Sequence, residues 1–198
     1  MFLAQEGAEY SGELAVKQLD EIGFNKNDIV CGIAASGRTP FVLGAFDYAH
    51  QLGTYAIAVV NNEGSAVAAA ADVAIEAVVG PEVVTGSTRM KSGTADKMIL
   101  NILSTASMIR MGKVYSNLMV DLRVSNIKLV DRAERIVAMI AEVDQPTAAE
   151  VLKPCGNVKT AIVMIKAGVD RELAEQLLAM NVGIIGKVFK SLGIEAFR

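Results

Sequence analysis

Residues 30–46, VCGIAASGRTPFVLGAF, decide how this chain folds. An apolar run over residues 29–33 breaks at the small-residue turn Ala34-Ala35-Ser36-Gly37. A helix then begins, with Thr39 as its N-cap and Pro40 at the first helical position, where a missing N–H costs nothing. Strand, tight polar turn and helix N-terminus together gather backbone N–H groups and a positive helix end onto one spot. Such a spot holds an anion, most often a phosphate. Ser36 and Thr39 offer hydroxyl donors, and Arg38 can close over a ligand or pair with a carboxylate. The alternative is a turn that only caps a helix, with Arg38 in solvent.

Around this stretch the pattern continues as alternating strands and helices. Residues 11–22 read as a helix capped by Ser11, with Leu14, Ala15, Leu19 and Ile22 inward and Gly23 as its stop. Residues 28–33 form the first clear strand, and its lack of alternation predicts burial on both faces, hence a parallel sheet. A helix over 40–52, a strand over 55–60, a short alanine-rich helix capped by Ser65 and a strand over 73–79 follow. Short connections between them argue for an α/β fold, a three-layer doubly wound and mostly parallel sheet. Ligands in that architecture lie beyond the carboxyl ends of the strands, where residues 34–39, 61–65 and the loop after Val79 converge.

That last loop, GPEVVTGSTRMKSGT at 80–94, carries one carboxylate, several hydroxyls, three glycines and two cations without clear periodicity. Loops this long inside a compact domain usually bind something. A long apolar helix over 94–111 follows. Its broad stripe of Met98, Ile102, Ala106 and Ile109 predicts burial on more than one side, as in a subunit interface. Residues 126–143 read as a further helix, Pro154, Cys155 and Gly156 as a turn, and 157–167, 170–180 and 183–192 as helices that are stable only when packed together. The expected organisation is a sheet domain over 1–144 and a small C-terminal helical bundle over 145–198.

Composition narrows the function classes. The chain has 198 residues, with 19 basic against 22 acidic side chains and a net charge of −3, so nothing draws it to nucleic acid. No apolar run approaches the ~20 residues of a membrane span, and no signal peptide is expected. Cys31 and Cys155 have neither disulfide nor metal spacing and read as free thiols of a cytoplasmic protein, Cys31 in a buried strand. The only histidine, His50, falls late in the helix opened by Pro40 and favours its dipole there. A catalytic triad or zinc site is not expected. In the polar start, Glu6 and Glu9 favour the first turn of a helix unless one of them serves a site.

Four stretches carry a family resemblance: EGAEYS at 6–11, GIAASGRTPFV at 32–42, VVGPEVVTGSTRMKSGTADKMILNILSTASMIRMGKVYSNLMVD at 78–121 and GNVKTAIVMI at 156–165. The sequence resembles the N-acetylmuramic acid 6-phosphate etherases, within the sugar isomerase domain superfamily. The resemblance implies cleavage of a D-lactyl ether to give N-acetylglucosamine 6-phosphate and D-lactate, in peptidoglycan recycling. It further implies no cofactor, no metal, and a hexosamine 6-phosphate as ligand. Ser36, Gly37, Arg38 and Thr39 would lie at the sugar phosphate. The loop bearing Glu82, Thr85, Ser87, Thr88 and Lys91 would line the site, and Glu9 would do acid–base work. A homodimer is expected, with the 94–111 helix contributing to the contact.

The resemblance also implies what is absent. Family members carry a further strand, a glycine-rich loop and a second carboxylate ahead of the region matched here, so one sheet edge would be missing. A natural short paralogue, half of a split gene and a fragment all fit. Etherase-like function therefore stands beside a non-catalytic phosphosugar-binding or regulatory module, and a generic sugar-phosphate isomerase is the weaker third reading.

Overall fold

A computed structural model describes residues 7–122 and 126–195. Glu6, singled out above, lies outside the described residues. The chain divides into two compact units, residues 1–102 and 103–198.

The first unit is built on a parallel sheet of three strands in the order β1-β2-β3, with β1 at Val30–Ala34, β2 at Ala56–Val60 and β3 at Val73–Glu76. Cys31 pairs with Ile57, which pairs with Val73, so each strand steps in register across the sheet. Helices α1 (Gly12–Glu21), α2 (Pro40–Gln51) and α3 (Ala66–Ala69) connect and flank the strands. Ala34, Ala56, Ala58 and Val60 form one face of the sheet and pack with Val42, Phe46 and Val67 in a single apolar core. Gly32 is needed on this face. A Cβ there would lie 2.4 Å from Val42 Cγ1 and 2.5 Å from Phe46, so any side chain would drive α2 off the sheet. The small residues of β1 and β2 are what bring α2 this close.

Double burial of β1 is corrected by the structure. Val30, Gly32 and Ala34 face the core, but Cys31 is exposed and Ile33 is 44% exposed. Among the described residues β1 is an edge strand. An apolar run without alternation looks the same at an edge as at the centre of a sheet. Ile22, placed inward above, is likewise exposed, leaving Ala15 as the buried residue of α1.

His50 makes a contact that local pattern does not show. Asp72, just before β3, accepts the Ala56 N–H at 2.7 Å and lies 3.0 Å from His50 Nε2, at the end of α2. The Ala56 N–H and then the histidine hold the Asp72 carboxyl below the usual carboxylate range. A group with a lowered folded pKa adds stability that is fully present above its unfolded value, near 3.9, and is lost as pH falls through the folded one. Asp72→Asn should therefore flatten the acid limb of a urea midpoint against pH profile below about pH 4. An unchanged limb would show that the contact does not persist in solution.

Helix α4 (Lys91–Arg110) begins three residues earlier than the periodicity predicts. Its start is set by Glu82, whose carboxylate accepts the N–H groups of Lys91 at 3.0 and 3.2 Å and of Ser92 at 3.2 Å. A cap supplied from nine residues away has no local signature. In the single chain the stripe expected to be buried as in a subunit interface is open: Met98, Ile102 and Ile109 are 53%, 63% and 51% exposed, and Ser92 is the buried residue of the helix.

The second unit contains a short hairpin, β4 (Val114–Tyr115) with β5 (Leu118–Met119), and a bundle of five helices. These are α5 (Ile127–Ala141), α6 (Gln145–Cys155), α7 (Val158–Ala167), α8 (Arg171–Met180) and α9 (Ile185–Leu192). Asn126, Asp144, Asn157 and Asp170 each cap a helix through the side chain, contributing typically ~1 kcal/mol apiece. Ile136, Val137 and Ile140 of α5 share one core with Ile162, Val163, Val188 and Phe189, so the bundle begins at α5 rather than at residue 145. Helix α6 was not anticipated. Pro146 sits in its first turn, where proline is tolerated, and Pro154 falls in its last.

Candidate functional site

The carboxyl ends of β1, β2 and β3 are tied together by backbone and asparagine hydrogen bonds. Ala35 O, just past β1, accepts from Asn61 N at 3.1 Å and from Asn62 Nδ2 at 2.7 Å, both just past β2. Asn61 Nδ2 reaches on to Ala77 O, past β3, at 3.1 Å, and to Asp96 Oδ1 on α4 at 3.2 Å. Asn61 is buried, and its Oδ1 is the one buried side-chain polar atom without a partner among the described residues. Sequence reasoning missed this residue. A paired asparagine directly after a buried strand was the available signal.

The turn after β1 is locked against α3. Gly37 has φ of 66°, in the region glycine favours, and its N–H donates to Ala34 O at 2.8 Å. A Cβ at Gly37 would lie 2.1 Å from Ser65 Oγ, and Gly37 O accepts the Val67 N–H at 2.9 Å. Ser65 meanwhile caps α3 through the Ala68 N–H. So the turn's backbone has one position available to it.

This rigid turn delivers α2 with an open N-terminus. Thr39 occupies the N-cap position in extended conformation and makes no side-chain cap, and Pro40 opens the helix. The Val42 and Leu43 N–H groups bond to Thr39 O. The Phe41 N–H has no intrahelical acceptor, as expected for a first turn. Ser36 and Arg38 are exposed and Thr39 is half-buried, and none of their side chains is engaged in a hydrogen bond or ion pair among the described residues. A positive helix end, unspent hydroxyls and one free guanidinium therefore sit together within residues 36–41. The chemistry offered is reception of a multiply charged anion.

The loop over 80–91 uses part of its polar content on itself. Glu82 is occupied in capping α4, and Lys91 Nζ donates to Pro81 O at 2.9 Å. Ser87 Oγ accepts the Arg89 N–H at 3.4 Å. Thr85 and Thr88 are exposed, and their side chains carry no hydrogen bond. Glu9 lies in a 3-10 turn, Ala8–Tyr10, that packs on α2 and leads into α1. Gly12 and Gly44 touch where the helices cross, and Gly12 also backs onto the Pro40 carbonyl at the start of α2. The crossing carries Glu9, which is exposed, along the same helix whose first turn bears the open N–H groups. Among the described residues no group of three or more His, Cys, Asp or Glu side chains could hold a metal ion, and no helix is long and apolar enough to cross a membrane.

No protein-family model matches the chain. Curated relatives do. The chain is 48% identical over 193 residues to an N-acetylmuramic acid 6-phosphate etherase of Clostridioides difficile, covering 97% of this chain and 64% of that protein. It is 53% identical over 188 residues to N-acetylmuramic acid 6-phosphate etherase 1 of Bacillus licheniformis, covering 94% and 62%. A Vibrio atlanticus protein of the same name is 51% identical over 189 residues, covering 95% and 62%. The chain thus spans a little under two thirds of the length of these relatives. By identity extending over nearly all of its own length, the chain belongs to the N-acetylmuramic acid 6-phosphate etherase family.

Proposed function

We propose that the chain binds a hexosamine 6-phosphate beyond the carboxyl ends of its parallel strands and takes part in cleavage of the D-lactyl ether of N-acetylmuramic acid 6-phosphate. The open N-terminus of α2, with unspent side chains at Ser36, Arg38 and Thr39, is the observation that carries this reading. The phosphate sits on the Gly37-to-Phe41 backbone and the Ser36 and Thr39 hydroxyls, with Arg38 closing over it. Thr85, Ser87, Thr88 and Lys91 face the sugar, while Glu82 shapes that wall through its cap on α4.

Ether loss requires removal of the C2 proton of the sugar and protonation of the departing lactyl oxygen. Water then adds across the C2–C3 double bond, with its hydroxyl going to C3 and a proton returning to C2. Glu9 serves one of these proton transfers. Holding the phosphate fixes the register of the ring without contact at the reacting carbons. The protein works in the cytoplasm, without a cofactor.

A second reading, a binding module without turnover, is favoured by one observation: Glu82, the other acidic side chain in the site loops nearest Lys91, is committed to capping α4. Thermal shift tests the part common to both readings. N-acetylglucosamine 6-phosphate should raise Tm, and Ser36→Ala should weaken binding by about 1.5–3 kcal/mol by removing a donor to a charged oxygen. No shift with any hexosamine 6-phosphate, in folded protein, would remove the proposal.

The chain is further proposed to form a homodimer in which α4 takes part. Met98, Ile102 and Ile109 are all more than half exposed on it, and apolar surface of this extent is characteristic of association sites. Sedimentation velocity at micromolar concentration should give twice the chain mass, and Ile102→Lys should shift the protein toward monomer. A wild-type monomer would contradict this.

A further inference from the structure

We propose that Asn62 is a positioning residue for the phosphate: by holding the Ala35 carbonyl it turns the Ser36 N–H toward the bound anion. The proposal rests on the hexosamine 6-phosphate reading above, and adds to it a residue that touches neither phosphate nor sugar.

Residues 34–37 form a β-turn, closed by the Gly37 N–H on Ala34 O at 2.8 Å. The middle peptide of such a turn, here between Ala35 and Ser36, has two opposed orientations, those of the type I and type II turns. Type II needs a positive φ at the third residue, and Ser36 has none. In a trans peptide the C=O and N–H point opposite ways, so whatever fixes Ala35 O also fixes the Ser36 N–H. Both lone pairs of Ala35 O are taken from the end of β2, by the Asn61 N–H at 3.1 Å and by Asn62 Nδ2 at 2.7 Å. The Ser36 N–H is thereby directed away from β2. It has no acceptor among the described residues, and neither have the N–H groups of Arg38 and Thr39. Successive N–H groups around a residue in the left-handed region, here Gly37, form a concavity that receives anions.

Asn62 is held ready for this task. Ahead of it the loop is anchored by Asn61, whose Nδ2 donates to Ala77 O at 3.1 Å. Behind it the Gly64 N–H donates to Glu76 at 2.8 Å, and Ser65 caps α3. A side chain on a backbone fixed at both ends gives up little freedom in making its bond. None of these anchors passes through the Asn62 amide, so the loop stays in place without it. Asn62 is exposed, and once its amide is gone water competes for Ala35 O. The middle peptide then rocks about the remaining Asn61 bond, and the Ser36 N–H loses its aim.

Calorimetric titration with N-acetylglucosamine 6-phosphate, together with amide NMR of the nitrogen-labelled chain, tests this. In the wild type the Ser36 amide proton should move downfield on saturation, as a donor to a charged oxygen does. Asn62→Leu, which keeps the branching and removes the donor, should bind about five- to tenfold more weakly. Its Ser36 response should be lost, its Phe41 response kept and its urea midpoint unchanged. Asn62→Gln, which keeps the amide, should lose no more than about threefold. The proposal is overturned if Asn62→Leu binds as tightly as the wild type, or if its Ser36 amide still responds in full. Equal losses in Asn62→Leu and Asn62→Gln overturn it too, as does a loss that only follows a lowered urea midpoint. If the wild type itself does not bind, the hexosamine 6-phosphate reading falls, and the role of Asn62 with it.

Discussion

Supplied with N-acetylmuramic acid 6-phosphate, the purified 198-residue chain is expected to release D-lactate at least ~10²-fold more slowly than a full-length relative such as the Clostridioides difficile etherase. The reaction moves protons at two positions, and positioned acid–base help at each is typically worth about 10²–10⁴-fold. In the first unit Glu9, proposed above for one of these positions, is exposed and mounted on a turn against α2. Glu82 is held by the Lys91 and Ser92 N–H groups, and Glu76 accepts the Gly64 N–H at 2.8 Å, so neither is free for the second. The β1 edge, which no described strand pairs with, adds to the deficit, since a site displaced by about 1 Å can lose ~10²-fold through misplacement alone. Lactate detection at saturating substrate measures this. Turnover matching the relative, abolished by Glu9→Ala, would show that one carboxylate suffices.

Gly37→Val should have the largest effect of any single substitution at the site. The residue sits at φ 66°, where a side chain costs about 1–2 kcal/mol, and its Cβ would fall 2.1 Å from Ser65 Oγ. Relief requires Ser65 to leave its cap on α3, or the turn to move away from Val67 and open the Ala35–Asn61 bond. Overpacking of this kind adds typically 1–3 kcal/mol, for a combined loss of about 3 kcal/mol. Because the turn also positions the α2 N-terminus, ligand-dependent stabilisation should vanish even where the variant still folds. Urea titration with and without N-acetylglucosamine 6-phosphate separates the two effects. A variant as stable as wild type would mean the turn is held less tightly than the Ser65 contact implies.

Local chemistry made the strand–turn–helix unit and the caps legible. Pro40, Ser11, Ser65, Asn126, Asn157 and Asp170 act through neighbours three residues away or fewer, and each stands where its sequence context places it. What escaped notice depends on partners distant in sequence. Glu82 starts α4 from across a loop, Asp72 joins His50 to Ala56, and Asn61 links three strand ends. The edge position of β1 is not visible in its own residues for a different reason: an apolar run without alternation reads the same at the edge of a sheet as at its centre. Helix α6 was hidden by its prolines, which read as breaks when taken without their positions in the first and last turns. For the candidate site, sequence located the Ser36-to-Thr39 turn but could not separate residues that are free to bind from those, like Glu82 and Lys91, already engaged.

The central claim, reception of a sugar phosphate by the α2 N-terminus, is tested most directly by calorimetric titration of N-acetylglucosamine 6-phosphate into wild-type and Ser36→Ala protein, with unphosphorylated N-acetylglucosamine as the comparison. The account predicts binding that requires the phosphate and weakens roughly 10- to 10²-fold in the variant, corresponding to about 1.5–3 kcal/mol. Equal affinity for the unphosphorylated sugar, or a variant that binds as tightly as wild type, would contradict it.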